Sequence, residues 1–132
     1  MILALKTADF TTEIWLFADA DSDKPVANTQ WESGRELSEQ LLGHLVSFLE
    51  GQRLKLENLS GILIFSGPGS FTSLRIGHAT VNALADSLGI PAVGAMGEHW
   101  LSAGRFQLAQ ARSGRPALPH YGSEAHITKP KS

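Results

Sequence analysis

The chain has 132 residues, 42% of them hydrophobic, and a formal net charge of −2. That is enough for one domain with its own core, and too apolar for a disordered segment. The sequence has no apolar run of about eighteen residues, so it offers no membrane-spanning helix. With no cysteine it has neither disulfides nor thiolate metal sites, in keeping with a cytoplasmic location.

Residues 2–6 form an apolar run suited to a buried strand. No basic region precedes it, so it reads as a strand and not as a secretory signal. Residues 7–12 are turn-like. Residues 13–18 read as a second strand, and residues 19–25 as a turn carrying Asp19, Asp21, Asp23 and Pro25. Residues 26–31 pair back as a third strand, giving an antiparallel meander. Ser33 and Glu36 then offer a capping box. Leu37, Leu41, Leu45 and Phe48 follow at helical spacing, with Gly51 in the position after the helix where glycine is favoured. Leu42, Val46 and Leu49 are expected on the other side of this helix.

Residues 61–65 read as a strand. Residues 66–77, Ser-Gly-Pro-Gly-Ser-Phe-Thr-Ser-Leu-Arg-Ile-Gly, follow as a glycine turn and a helix start. Gly67 and Gly69 allow a tight turn, Pro68 fixes one φ between them, and Ser70 or Gly69 caps the helix. The helix continues to about Leu88, where Gly89-Ile90-Pro91 stops it. Residues 92–96 make a last strand and residues 98–103 a short helix. Strands joined through helices run parallel, so the expectation is an α/β fold with a mixed sheet of about five strands. The same succession builds one half of the actin-like ATPase fold and of ribonuclease H-like domains. Periodicity fades from Arg105, which divides the chain into a domain over 1–104 and an extended basic tail over 105–132. The body holds six Lys/Arg and twelve Asp/Glu, the tail five Lys/Arg and Glu124. Such a tail either meets an anionic partner, making the protein a tRNA-binding module, or lies solvated over its own acidic body.

The second helix has two faces. Leu74, Val81, Ala85 and Leu88 share one stripe, the ordinary core face. Thr72, Ile76, Ala79, Thr80, Ala83 and Ser87 lie opposite without a charge, while Arg75, Asn82 and Asp86 keep to a flank. A small, apolar outer face suits docking, either of a second copy or of another protein. Burial on both sides within its own domain is the alternative.

As a catalytic or nucleotide site the chain offers little. A Walker loop needs Lys and Ser/Thr after its last glycine, and none is present. The dinucleotide fingerprint needs glycine or alanine where Thr72 stands. No Gly-x-Ser-x-Gly occurs. His44 and His78 read as surface or boundary residues, and His99, His120 and His126 have no metal-ligand spacing. Trp15, Trp31 and Trp100 suit packing. Glu36 and Glu39 suit a solvated helix face. A small nucleotide-binding hydrolase or peptidase using the glycine turn, with Ser70 or Asp9, is the alternative enzyme reading.

The run from Ser66 to Gly77 resembles the signature Gly-Pro-Gly-Ser-Phe-Thr-Gly-Leu-Arg-Ile-Gly of the bacterial TsaB (YeaZ) family. Residues 2–7, Ile-Leu-Ala-Leu-Lys-Thr, are similar to that family's Ile-Leu-Ala-Ile-Asp-Thr, and residues 34–41 and 89–94 fit its first helix and the strand after its second. The resemblance covers about residues 1–104. It implies an actin-like fold without catalysis of its own, no cofactor and no metal. It further implies a scaffold for the transferase TsaD in making threonylcarbamoyladenosine beside the anticodon of tRNAs that read codons beginning with A. The ATPase TsaE joins a larger complex, and a homodimer forms when the partner is absent. The resemblance places the docking interface on Leu42, Val46, Thr72, Ile76, Ala79, Thr80 and Ala83, and the signature turn on Gly67, Pro68, Gly69, Ser70, Phe71, Thr72 and Arg75. Lys6 stands where the family has aspartate, Ser73 where it has glycine, and the family's second domain is expected to be missing.

Overall fold

The computed structural model describes residues 1–117. Strands β1 (Ile2–Lys6), β2 (Thr11–Phe17), β3 (Ala27–Glu32), β4 (Gly61–Phe65) and β5 (Ala92–Ala95) form one sheet in the order β3-β2-β1-β4-β5. Among the described residues three α-helices accompany them: α1 (Leu37–Gly51), α2 (Phe71–Leu88) and α3 (Trp100–Leu108). The short connections β1–β2 and β2–β3 give antiparallel pairs, with Ala4 opposite Trp15 and Trp15 opposite Asn28. The helical crossovers make β4 parallel to β1 and β5 parallel to β4. This is the mixed-sheet α/β architecture of one half of an actin-like, ribonuclease H-like fold.

Side chains alternate along each strand, so the sheet has two buried faces. Leu3, Leu5, Ile14, Leu16, Ile62 and Ile64 meet α1 and α2 on one. Ile2, Ala4, Phe17, Leu63 and Phe65 meet α3 on the other. β4 is buried at every residue, which is why its sequence is continuously apolar and not alternating. Helix α1 buries Leu37, Leu41, Leu45 and Leu49. Each such side chain contributes about 1.5–3 kcal/mol relative to exposure. Leu49 therefore belongs to the core stripe and not to the outer side. Leu88 of α2 is half-buried, and Gly77 and His78 join Leu74, Val81 and Ala85 on the inner face.

Several local expectations give way to tertiary contacts. β2 starts at Thr11, two residues earlier than its apolar pattern, because Thr11 and Thr12 pair with Glu32 and Trp31. The capping box does not form. Residues Gly34–Glu36 make a 3-10 turn with no side-chain cap. The Ser33 hydroxyl instead lies 2.7 Å from that of Thr12 and 3.2 Å from the Phe10 carbonyl, tying the start of α1 to the β1–β2 loop. Glu36 accepts a bond from Gln40 Nε2 at 2.9 Å. Gly51 is the last residue of α1, and the left-handed conformation after it falls on Arg53, at φ 62°.

The helix expected over residues 98–103 starts at Trp100 and continues to Leu108, because Gly104, Arg105 and Leu108 are buried on the sheet. Residues 109–117 then cross the edge beside β5. Ala111 packs on the α3 side of the sheet and Ala117 enters the core on the α2 side. Asn82 holds the end of this strap from both directions. Its Nδ2 donates to the Ala117 carbonyl at 2.9 Å and its Oδ1 accepts from the Ala117 amide at 2.8 Å. The expectations for Tyr121, His120, His126 and the basic ending lie outside the described residues.

Candidate functional site

The glycine turn is held by its neighbours. Ser66 donates its amide to the Ala95 carbonyl at 2.8 Å, and the Gly97 amide donates to the Gly67 carbonyl at 3.0 Å. On the other side the Ser70 amide donates to the Ala8 carbonyl at 2.7 Å. Ser70 is the helix cap, its hydroxyl accepting from the Ser73 amide at 3.3 Å. A side chain at residue 69 would meet Ala8 Cβ at 2.6 Å, and one at residue 77 would fall on Thr7 Oγ1 and against Ile64. Both glycines are thus required by the approach of the β1–β2 loop to α2, where Thr7 Oγ1 donates to the Ser73 carbonyl at 2.9 Å. The Ser70 amide is spent on this packing and its hydroxyl oxygen on the cap. Pro68, Ser70, Phe71 and Thr72 face outward, and the Arg75 guanidinium lies 5.2 Å from the Phe71 ring centre.

A Ser–His pair that the sequence does not announce lies behind the turn. Ser66 Oγ and His78 Nε2 are 2.9 Å apart, and His78 Nδ1 is 2.7 Å from the Leu74 carbonyl. A carbonyl cannot donate, so Nδ1 carries a proton toward Leu74 and the Ser66 hydroxyl donates to Nε2 in the neutral ring. These are the contacts of a base and its nucleophile. Ser66 has no solvent exposure and His78 has 3%, so the pair lies in the interior. His78 is consequently a core residue, contrary to expectation. A helical position at i+12 from a strand-end serine is the only sequence signal, and it is weak. His44 does lie at a boundary, stacked on Trp31 with ring centres 3.9 Å apart. Trp15 and Phe65 meet Trp100 edge-on. Lys6 extends over the Phe65 ring at 4.6 Å. Asp9 accepts from the Thr11 amide at 2.9 Å, within its own turn. Among the described residues no group of three His, Asp or Glu side chains could hold a metal, and no helix is long and apolar enough to cross a membrane.

The outer face of α1 and α2 is where the expected docking residues gather. One hollow of about 530 Å³ brings Ser38 and Leu42 of α1 against Ala79, Thr80 and Ala83 of α2. A second, lined by Thr72, Arg75, Ile76 and Ala79, continues along α2. Leu42 is 49% exposed although it is a leucine. Val46 stands apart from these residues and lines a separate hollow with Leu54 and Leu56. Ser87, expected on the outer face of α2, also lines the main hollow, as do Ser38 and Leu84, which the helical pattern did not single out. Arg75 and Asp86 are the charges on α2, and neither lines the hollow with Leu42.

The fold defines a protein of the actin-like superfold. A family model described as TsaD, tRNA N6-adenosine threonylcarbamoyltransferase, matches residues 31–115, and the chain belongs to that family. Among solved structures it is similar to YeaZ from Pseudomonas aeruginosa, at 24% identity and TM-score 0.63, over 72% of this chain and 43% of that one. A second structure, of an uncharacterized protein with similarity to peptidase YeaZ from Pseudomonas aeruginosa, gives 24% identity and TM-score 0.64 over 72% and 42%. The fold is therefore YeaZ-like, as the signature turn implies, and the chain spans less than half the length of either structure. No curated protein matches it.

Proposed function

We propose that the chain is a non-catalytic, cytoplasmic scaffold subunit in threonylcarbamoyl modification of tRNA, at the adenosine beside the anticodon of tRNAs reading codons that begin with A. Its outer α1–α2 face docks a TsaD-type transferase subunit, and a second copy of the chain takes that place when the transferase is absent. A TsaE-type ATPase and the tRNA join through the resulting complex. The observation that carries the reading is the hollow formed by Leu42, Ala79, Thr80 and Ala83, an uncharged exposed face on an otherwise acidic body. Small side chains at these positions let another backbone approach closely, and about 800 Å² per partner is an ordinary contact of this kind. The opposite reading, a hydrolase built on Ser66 and His78, needs a path for substrate to a serine that is wholly buried.

The test is co-elution of the full chain with a TsaD-type subunit, compared with Ala83→Arg. A guanidinium buried at the centre of such a contact weakens association by about a hundredfold or more, since an unpaired buried charge costs about 3 kcal/mol or more. The helical circular dichroism and the monomer's cooperative melt remain unchanged. Undiminished co-elution of Ala83→Arg would remove the α1–α2 face from the interface. Failure of the chain to restore the tRNA modification in cells deprived of their own scaffold would remove the function itself.

A further inference from the structure

Outside the α1–α2 face, the described residues carry a groove of a different character. It runs beside the edge strand β5 and is lined by Val93 of that strand, Gln107 of α3, and Gln110, Arg112 and Arg115 of the segment after α3. No carboxylate lines it. Residues 105–117 hold Arg105, Arg112 and Arg115 and no acid, whereas residues 1–104 hold twelve acids against six Lys/Arg. Arg105 is occupied elsewhere, buried with its guanidinium 4.4 Å from the Phe17 ring centre. Arg112 and Arg115 are both exposed. An approaching polyanion is repelled by most of the body and drawn to this edge.

We propose that the groove beside β5 is an RNA contact. Arg112 and Arg115 grip phosphates, the carboxamides of Gln107 and Gln110 reach sugar or base edges, and apolar Val93 receives a base or ribose. Guanidinium forks suit phosphate oxygens bidentately, and a carboxamide both donates and accepts, as base edges require. The choice of RNA over an acidic protein rests on the tRNA-modification reading above. The chain then supplies its own contact to the tRNA, on an edge distinct from the face that docks the transferase.

The experiment titrates the full chain into fluorescently labelled, unfractionated tRNA and reads anisotropy at several salt concentrations. The Arg112→Glu/Arg115→Glu double variant is expected to bind at least about tenfold more weakly, with a log–log salt slope shallower by about two. Arg112→Gln/Arg115→Gln falls between it and the unaltered chain, and Arg35→Glu, a charge change on another element, binds as the unaltered chain does. The proposal is overturned if the unaltered chain does not bind tRNA at low salt, or if the double variant binds equally well. It is overturned too if Arg35→Glu loses as much as the double variant, which would make net charge the cause. Competition by polyglutamate as effective as that by RNA would reassign the groove to an acidic protein. Co-elution with the transferase-type subunit, read on the same variants, separates the two readings. Undiminished tRNA binding by the Arg112→Glu/Arg115→Glu variant, with co-elution intact, sinks this inference alone. Intact co-elution of Ala83→Arg with tRNA binding retained sinks the scaffold reading alone.

Discussion

Gly77 and Ser66 show how single residues hold the turn. At residue 77 a methyl group would be driven into Thr7 Oγ1 and Ile64, on two elements that cannot retreat without unpacking the sheet. Gly77→Ala is expected to destabilise the chain by about 1–3 kcal/mol through overpacking, lowering the melting temperature by several degrees. Gly43 on α1 has open space at the same position, so Gly43→Ala provides the control and leaves the melt unchanged or slightly higher. Ser66→Ala removes the hydroxyl that donates to His78 Nε2 in a wholly buried setting. Loss of a buried hydrogen bond of this kind costs about 1–3 kcal/mol, measured by urea unfolding. A Ser66→Ala chain as stable as the parent would show that the pair holds nothing.

Among the elements, the strap over residues 109–117 and helix α2 depend on each other. Asn82 reads the Ala117 backbone as a neighbouring strand would, satisfying one amide and one carbonyl at once. Asn82→Ala removes both bonds, and at about 1 kcal/mol each the local opening of the strap becomes about tenfold or more easier. Hydrogen exchange resolved to peptides reads this as faster exchange over residues 109–117, with β4 and α1 unchanged. Equal exchange in both chains would mean that Ala117 is held by burial alone. Helix α1 illustrates a different dependence. Its start is fixed by the Ser33–Thr12 hydroxyl contact and not by a cap of its own, so the pose of α1 follows the β1–β2 loop. That pose decides where Leu42 stands relative to Ala79 and Ala83, and hence the shape of the proposed docking face.

At the scale of the whole fold, the described residues cover the sheet unequally. Two long helices lie on one face, while the nine-residue α3 lies over β4 and β5 on the other. The better-covered side carries the exposed uncharged hollow, and the less-covered side leads through α3 to the arginine edge. If copies pair through the α1–α2 face, stability depends on concentration by mass action. The melting temperature should rise over about a hundredfold increase in protein concentration, and Ala83→Arg should abolish that rise. A melting temperature independent of concentration in both chains would exclude pairing of copies in solution.

Much of this was legible in the amino-acid order because it depends on local chemistry. Apolar runs and turn residues placed five strands, helical spacing placed three helices, and the run from Ser66 to Gly77 pointed to the family. Strand pairing needed little more, since short connections make antiparallel pairs and helical crossovers make parallel ones. What depended on the third dimension was decided by side chains distant in sequence. Thr12 took the Ser33 hydroxyl away from its cap, Leu63 met α3 at Gly104 and Phe17 met it at Arg105, and Ser66 drew His78 inward. Ala117 was brought back onto α2 by Asn82, and Leu42 was set beside Ala83 while Val46 was turned away. Local pattern specifies which face of an element is apolar, but the partner that face meets follows from where the sheet and its connections bring the elements together.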